Sequence, residues 1–264
     1  MVPAERILQL MAILFVASEA FELKPFAARL SGTRALKWPL DYAEEGVWEG
    51  KRYLLAANGA GPRLSAQCVE VALRATSMAE LSSSKLEAVV SVGVCGALQP
   101  SLAEGEIVLG SNVLAVDSGE NFPCHSVTCN HASRGGPIAS LDRVLSAKDK
   151  QSLAETGAIG VDMESAGVAR RAQISNLPFC CVKVVSDRAD ENFVIDFNLM
   201  RTSEGRFSRG KIISYALKHP AVVPHLLSVK RRAEKAGGVL GVFLASCRFQ
   251  FNDSSVEQLE NQQI

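Results

Sequence analysis

The run Leu86-Glu-Ala-Val-Val-Ser-Val92, closed by Gly93-Val-Cys-Gly96, decides how this chain folds. It is short, apolar on both alternating faces and bounded by glycines, which reads as a strand buried on both sides. Two similar runs are Met11-Ala-Ile-Leu-Phe-Val-Ala17 and Pro178-Phe-Cys-Cys-Val-Lys-Val-Val185. Helical patterns lie between them: Ala20 to Leu30, Pro62 to about Met78, Ser146 to Glu155 and Met163 to Ile174. Strands alternating with helices predict a three-layer α/β fold, a mixed and mostly parallel central sheet flanked by helices.

Working outward, Leu36 to Asn58 alternates and carries turn signals at Glu45-Gly46 and Glu49-Gly50, which predicts a hairpin ending in Tyr53 to Ala57. Glu106 to Val116 reads as extended, Asp117 to Gly136 as loop, and Ala158 to Val161 as a short strand. Two late helices are expected, from about Gly205 to Lys218 and from Pro224 to about Ala245. No Pro/Gly/Ser-rich linker divides the chain, so residues 11–246 are expected as one domain. Residues 1–10 then form an N-terminal extension and 247–264 a polar, fraying tail.

The 264 residues carry 28 basic and 28 acidic side chains and are 47% hydrophobic. That much apolar material is able to bury a core, which excludes general disorder. The balanced charge argues against a nucleic-acid binder, whose affinity needs excess cations on phosphates. The apolar run at Met11–Ala17 is far short of the ~20 residues of a membrane span, and Glu19 and Glu22 follow it directly. No membrane insertion and no signal peptide are therefore expected. Seven irregularly spaced cysteines, Cys68, Cys180 and Cys181 among them within apolar runs, point to reduced thiols and a cytoplasmic location.

Ligands of open α/β sheets bind beyond the carboxyl ends of the strands. That rule selects Glu22, Asn58, Gly59, Gly61, Gly93 and Gly96, then Asp162, Glu164, Ser186, Asp187 and Asp190. Carboxylates from separate strand ends suit acid–base chemistry or the gripping of hydroxyls, although solvated caps are the plain alternative. Gly59-x-Gly61 lacks the later acid of a dinucleotide fingerprint, so no nicotinamide cofactor is expected. Cys124, His125, Cys129 and His131 match no standard zinc spacing, and solvated loop residues are the default reading.

Four segments in order carry a resemblance. Gly93-Val-Cys-Gly-Ala-Leu-Gln-Pro-Ser-Leu-Ala-Glu-Gly-Glu-Ile-Val-Leu109 resembles the glycine-rich strand-loop-strand of the purine nucleoside phosphorylase and nucleosidase superfamily. Val161-Asp-Met-Glu-Ser165 resembles its ribose-binding segment, and Ser186-Asp-Arg-Ala-Asp190 its purine-protonating loop. Ala17-Ser-Glu-Ala-Phe-Glu-Leu-Lys-Pro-Phe26 is similar to the opening of the 5′-methylthioadenosine/S-adenosylhomocysteine nucleosidases. Asp196-Phe-Asn198 and the helix from Pro220 to Ala245 resemble the hopanoid-associated, phosphorylase-like branch, thought to remove adenine from adenosylhopane.

The resemblance implies hydrolysis of the N-glycosidic bond of a purine nucleoside, with no metal or organic cofactor. Its partner would be a small nucleoside substrate, and its assembly a homodimer or larger homo-oligomer. By that resemblance Asp187 is the general acid toward the base and Glu22 activates the attacking water. Glu164 holds the ribose hydroxyls and favours a cationic transition state, Met163 packs on the sugar and Ser186 orients Asp187. Gly93, Val94, Cys95 and Gly96 give a flat floor to the base, and Val144 stands where nucleosidases carry a stacking aromatic. Phosphate users in the family carry Arg and Ser where this chain has Ser91 and Val94, which favours water as nucleophile. A phosphorolytic enzyme and a non-catalytic nucleoside binder remain the alternatives.

Overall fold

The computed structural model describes residues 11–77, 85–249 and 251. The sequence's apolar runs become central strands: β1 (Ala12–Ala17), β5 (Leu86–Ala97) and β11 (Phe179–Asp187). β5 lies between β1 and β11 and is parallel to both. Along β1, Ala12, Leu14 and Val16 enter the core on one face of the sheet, while Ile13, Phe15 and Ala17 enter the core on the other. This two-residue alternation with both faces apolar is what a covered sheet requires.

The hairpin appears as β3 (Tyr42–Trp48) and β4 (Lys51–Ala57), with β2 (Ser31–Ala35) added to the edge. β4 then runs parallel to β1. Beyond β5 come β6 (Ile107–Ala115), β9 (Arg134–Ser140) and β10 (Gly160–Asp162). β10 pairs with both β9 and β5, closing β5, β11, β6, β9 and β10 into a ring. One face is covered by α2 (Pro62–Ser77) and α4 (Ser165–Ile174), the other by α1 (Ala20–Ala27) and the 24-residue α6 (Val223–Ser246).

Three expectations are corrected. The sheet is mixed without being mostly parallel: five of its ten strand pairings run antiparallel. The segment from Asp117 to Gly136 is not loop throughout. It holds β7 (Glu120–Pro123), β8 (Thr128–Cys129) and the start of β9. Of the four β7 residues only Phe122 is buried, so β7 forms through backbone pairing to β6 and shows little side-chain periodicity. Residues 247–249, expected in the tail, belong to the fold, and the expected extension 1–10 and residues 252–264 lie outside the described residues. β12 (Cys247–Arg248) pairs with β8, and Phe249 packs against Phe15 in the core.

A fourth correction concerns the thiols. Cys129 and Cys247 are joined as a disulfide, while Cys68, Cys95, Cys124, Cys180 and Cys181 are free. The sequence spacing gave no hint of this pair, because its partners are 118 residues apart and meet only when α6 returns to β8. The bond also commits Cys129, so the set Cys124, His125, Cys129 and His131 loses one of its sulfurs as a free metal ligand. Met78, where the sequence places the end of α2, lies outside the described residues. Among the described residues no helix is long and apolar enough to cross a membrane.

Candidate active site

Glu22 lies in the first turn of α1, just beyond β1, and is 1% exposed. Its Oε2 accepts from the Ser18 and Glu19 N–H groups at 3.0 and 2.7 Å and from the Ser18 hydroxyl at 2.7 Å. The Val94 N–H donates to Oε1 at 2.8 Å. A solvated helix acid is therefore not what this residue is. Gly93, at φ +132°, explains the close approach: a Cβ there would stand 2.5 Å from Glu22 Oε1.

Gly96 plays the same part for the second carboxylate. A Cβ on it would lie 2.8 Å from Asp187 Oδ2 and 3.3 Å from Lys150 Cε. The two glycines thus make room for carboxylates arriving from β1–α1 and from β11, rather than serving only as a floor for a flat base. The Ser186 hydroxyl donates to Asp187 Oδ1 at 2.7 Å. Its other oxygen is paired with the Lys150 ammonium, which also donates to the Arg188 carbonyl at 2.7 Å. Lys150 belongs to α3 (Ala147–Ala154) and is 2% exposed. The sequence reading missed it, since a lysine in a polar eight-residue helix looks solvated. Asp187 is consequently one half of a buried ion pair, not a lone acid in an apolar pocket.

The segment 161–165 rests on a second buried pair. Asp162 Oδ2 and Lys183 Nζ are 2.7 Å apart with both side chains fully buried. Lys183 also donates to Ser91 Oγ at 3.0 Å and to the Val92 carbonyl at 3.2 Å. Asp162 accepts the Ser165 hydroxyl at 2.5 Å, which fixes the start of α4. Next to it, Glu164 accepts one bond from the Gly61 N–H at 3.1 Å. Burial, then the neighbouring Asp162, pushes the Glu164 carboxyl up to about 8, with Lys183 opposing.

These residues open on one cavity of about 190 Å³. Its wall includes Val94, Cys95, Gly96, Val144, Met163, Glu164, Ser186 and Asp187, eight of the ten residues to which the resemblance gives a part. Glu22 and Gly93 are not on the wall; Glu22 lies directly behind Val94 and Ser18. Asp190 is elsewhere, in an exposed pair with Arg188. Cys95, on the wall, has its thiol held well above its usual range by burial, so it stays protonated. A larger hollow of about 530 Å³ between β6 and α6 has Glu106 as its one carboxylate and lacks this convergence.

Two aromatics that sequence reading missed also line the cavity, Phe193 and Phe207. They come from the segment between β11 and α5 (Arg209–Lys218), far in sequence from Val144. That segment is stitched to the wall by side chains. Asn198 bonds both the N–H and the carbonyl of Val144, at 2.8 and 3.0 Å. Arg201 pairs with Asp142 at 2.6 Å, and Arg206 donates to Asn58 Oδ1 at 2.8 Å. Aromatic side chains from another loop thus stand on the same cavity wall as Val144.

The family model described as "Phosphorylase superfamily" matches residues 12–130 and 120–204. No curated protein matches the chain. Among solved structures, it is similar to the 5′-methylthioadenosine/S-adenosylhomocysteine nucleosidase of Neisseria meningitidis, solved with methylthio-immucillin-A. The TM-score is 0.66 and the identity 18%, over 90% of this chain and 98% of that one. The Helicobacter pylori enzyme of the same name gives 0.65 and 17%, over 94% and 99%. The futalosine hydrolase of Helicobacter pylori gives 0.65 and 19%, over 90% and 97%. At these identities the solved structures speak for the fold, and the family match, which spans most of the length, for descent: the chain belongs to the phosphorylase superfamily.

Proposed function

We propose that the protein hydrolyses the N-glycosidic bond of a purine nucleoside of the 5′-methylthioadenosine/S-adenosylhomocysteine type, releasing the free base. The observation that carries this reading is that Glu164 and the Lys150–Asp187 pair face one cavity, with Glu22 directly behind its wall. Breaking a base–ribose bond leaves positive charge on the sugar and requires a proton for the departing base. Asp187, held between Ser186 and Lys150, passes a proton to the departing base. Glu164, once ionised, binds the ribose hydroxyls and attracts the sugar cation. Glu22 takes a proton from water as the water attacks the anomeric carbon, and Met163 packs on the sugar. Phe193 and Phe207 supply apolar surface for the purine.

Water as the nucleophile is supported by the polar groups near Glu22. Ser91, at the position where phosphate users carry Arg, is fully buried and bonded to Lys183 and Ser165. On the cavity wall, Ser18 and Val94 bond Glu22 and neither is a cation; of the wall's cations, Lys150 is paired with Asp187 and the other is Arg143. A neighbouring hollow of about 350 Å³ shares Ser18 and Phe207 with the cavity and supports room for a 5′ substituent. The family pattern supports a homo-oligomer.

The test is incubation with a panel of purine nucleosides, with and without phosphate, followed by chromatography of bases and sugars. Free adenine and free sugar at a rate indifferent to phosphate are expected. Ribose 1-phosphate formed only with phosphate would replace hydrolysis by phosphorolysis. Tight nucleoside binding without any base release would make the chain a binder.

A further inference from the structure

The segment that supplies Phe193 and Phe207 continues into a surface that the proposed reaction does not use. Ile195, Met200 and Val222 form a small separate core there, packed by Ile212, Tyr215, Ala216 and Leu226. With those inward positions filled, the outward ones are still apolar. Ile213 is 60% exposed and Leu217 79%, one helical turn apart on α5. Val223 and Leu227 repeat the spacing on α6, and Leu199 and Val194 are exposed on the preceding segment. Most large exposed apolar side chains of the described residues fall between 194 and 242, although scattered exposure is the ordinary case.

The same stretch is strongly basic. Residues 201–235 hold nine Lys and Arg side chains against two Glu, in a chain whose total charge is zero. Arg201, Arg206 and Arg232 are spent on pairs with Asp142, Asp41, Glu104 and Glu191. Lys218, Arg231 and Lys235 make no ion pair among the described residues and are exposed. Apolar side chains at i and i+4, flanked by free cations, are the pattern of a helix face that lies on an anionic bilayer. A second copy of the chain fits this face poorly, because a two-fold contact would set one basic stretch against another. No described helix is apolar enough to span, which leaves the surface of a bilayer as the site of contact.

We propose that the outer face of α5 and the first turns of α6 dock the protein onto an anionic lipid surface. The inference is independent of the nucleosidase reading. Its test is co-sedimentation of the full chain with vesicles of phosphatidylcholine alone, or with about one-third phosphatidylglycerol. Binding to the anionic vesicles, weakened by salt and absent from the neutral ones, is expected. Ile213→Ser with Leu217→Ser, and separately Lys218→Glu with Arg231→Glu, should each reduce it about tenfold or more. All four positions are exposed, so circular dichroism should show unchanged folding. No binding to anionic vesicles, or binding by both variants as strong as that of the wild type, would overturn the proposal. So would a face covered by self-association, seen as a wild-type dimer that the apolar variant turns into a monomer.

Discussion

Lys150 reaches Asp187 from a helix that looks entirely solvated in sequence; that pair carries two predictions, and the buried Glu164 a third. Removing the carboxyl in Asp187→Asn should keep the fold and nucleoside binding, and slow base release by about a hundredfold or more; turnover near wild type would remove the proposed acid. Lys150→Met strands a buried carboxylate and should cost about 3–5 kcal/mol, read from urea unfolding. Combining it with Asp187→Asn should restore most of that stability. Glu164 gives the third. Its folded carboxyl sits near 8 against an ordinary value of 4.5, so above 4.5 the native state binds more protons than the unfolded one. That mismatch lowers stability progressively as pH rises, until it levels off above about 8. Glu164→Gln should therefore lose activity yet unfold at a higher temperature than wild type at pH 9, with the gap closing toward pH 5. Because the ionised form is the one that attracts the sugar cation, wild-type kcat/KM should climb with pH up to about 8. Glu22, Glu164, Ser186 and Asp187 were legible as residue types at strand ends. Lys150 was not, since nothing local marks a lysine that will be buried by another strand's carboxylate.

Among the elements, α1 matters most to the site because it carries Glu22, and its seat is α6. A Cβ on Gly241 would come within 2.6 Å of the Pro25 side chain and 2.7 Å of its carbonyl carbon. Gly237 meets the Phe21 carbonyl oxygen at 3.0 Å in the same sense. Gly241→Ala should cost about 1–3 kcal/mol by overpacking. It should also reduce turnover, because α1 must shift and Glu22 shifts with it; urea unfolding and steady-state rates check the two effects. The strands β1, β5 and β11 could be read directly, as both of their faces are apolar. β5 nevertheless runs on through Gly93 and Gly96 to Ala97, where the glycines looked like a stop. They continue the strand because β10 and β11 still pair with it there. β7 and β8 escaped notice for the converse reason, their ladders being backbone bonds with little apolar content.

Taken as a whole molecule, residues 245–249 are tied back by contacts that bring distant segments together. The disulfide joins β8 to β12, Trp48 donates to the Ala245 carbonyl at 3.0 Å, and Lys51 donates to the Phe249 carbonyl at 2.7 Å. Reduction should lower stability by about 2–4 kcal/mol, since it frees a long loop of the unfolded chain. Neither cysteine lines the proposed cavity, so base release below the unfolding range should not change; a parallel loss of activity would place the bond closer to the chemistry. The sequence by itself determined the covered α/β architecture, through apolar runs that only a two-faced sheet is able to bury. It also determined which carboxylates stand at strand ends. Tertiary structure alone decided that half the strand pairings are antiparallel, that Glu22 stands behind the cavity wall, and that Asp187 meets a lysine. It likewise brought Phe193 and Phe207 onto the cavity wall that carries Val144. Those outcomes depend on which side chains meet across a closed sheet, and neighbours along the chain carry no record of such meetings.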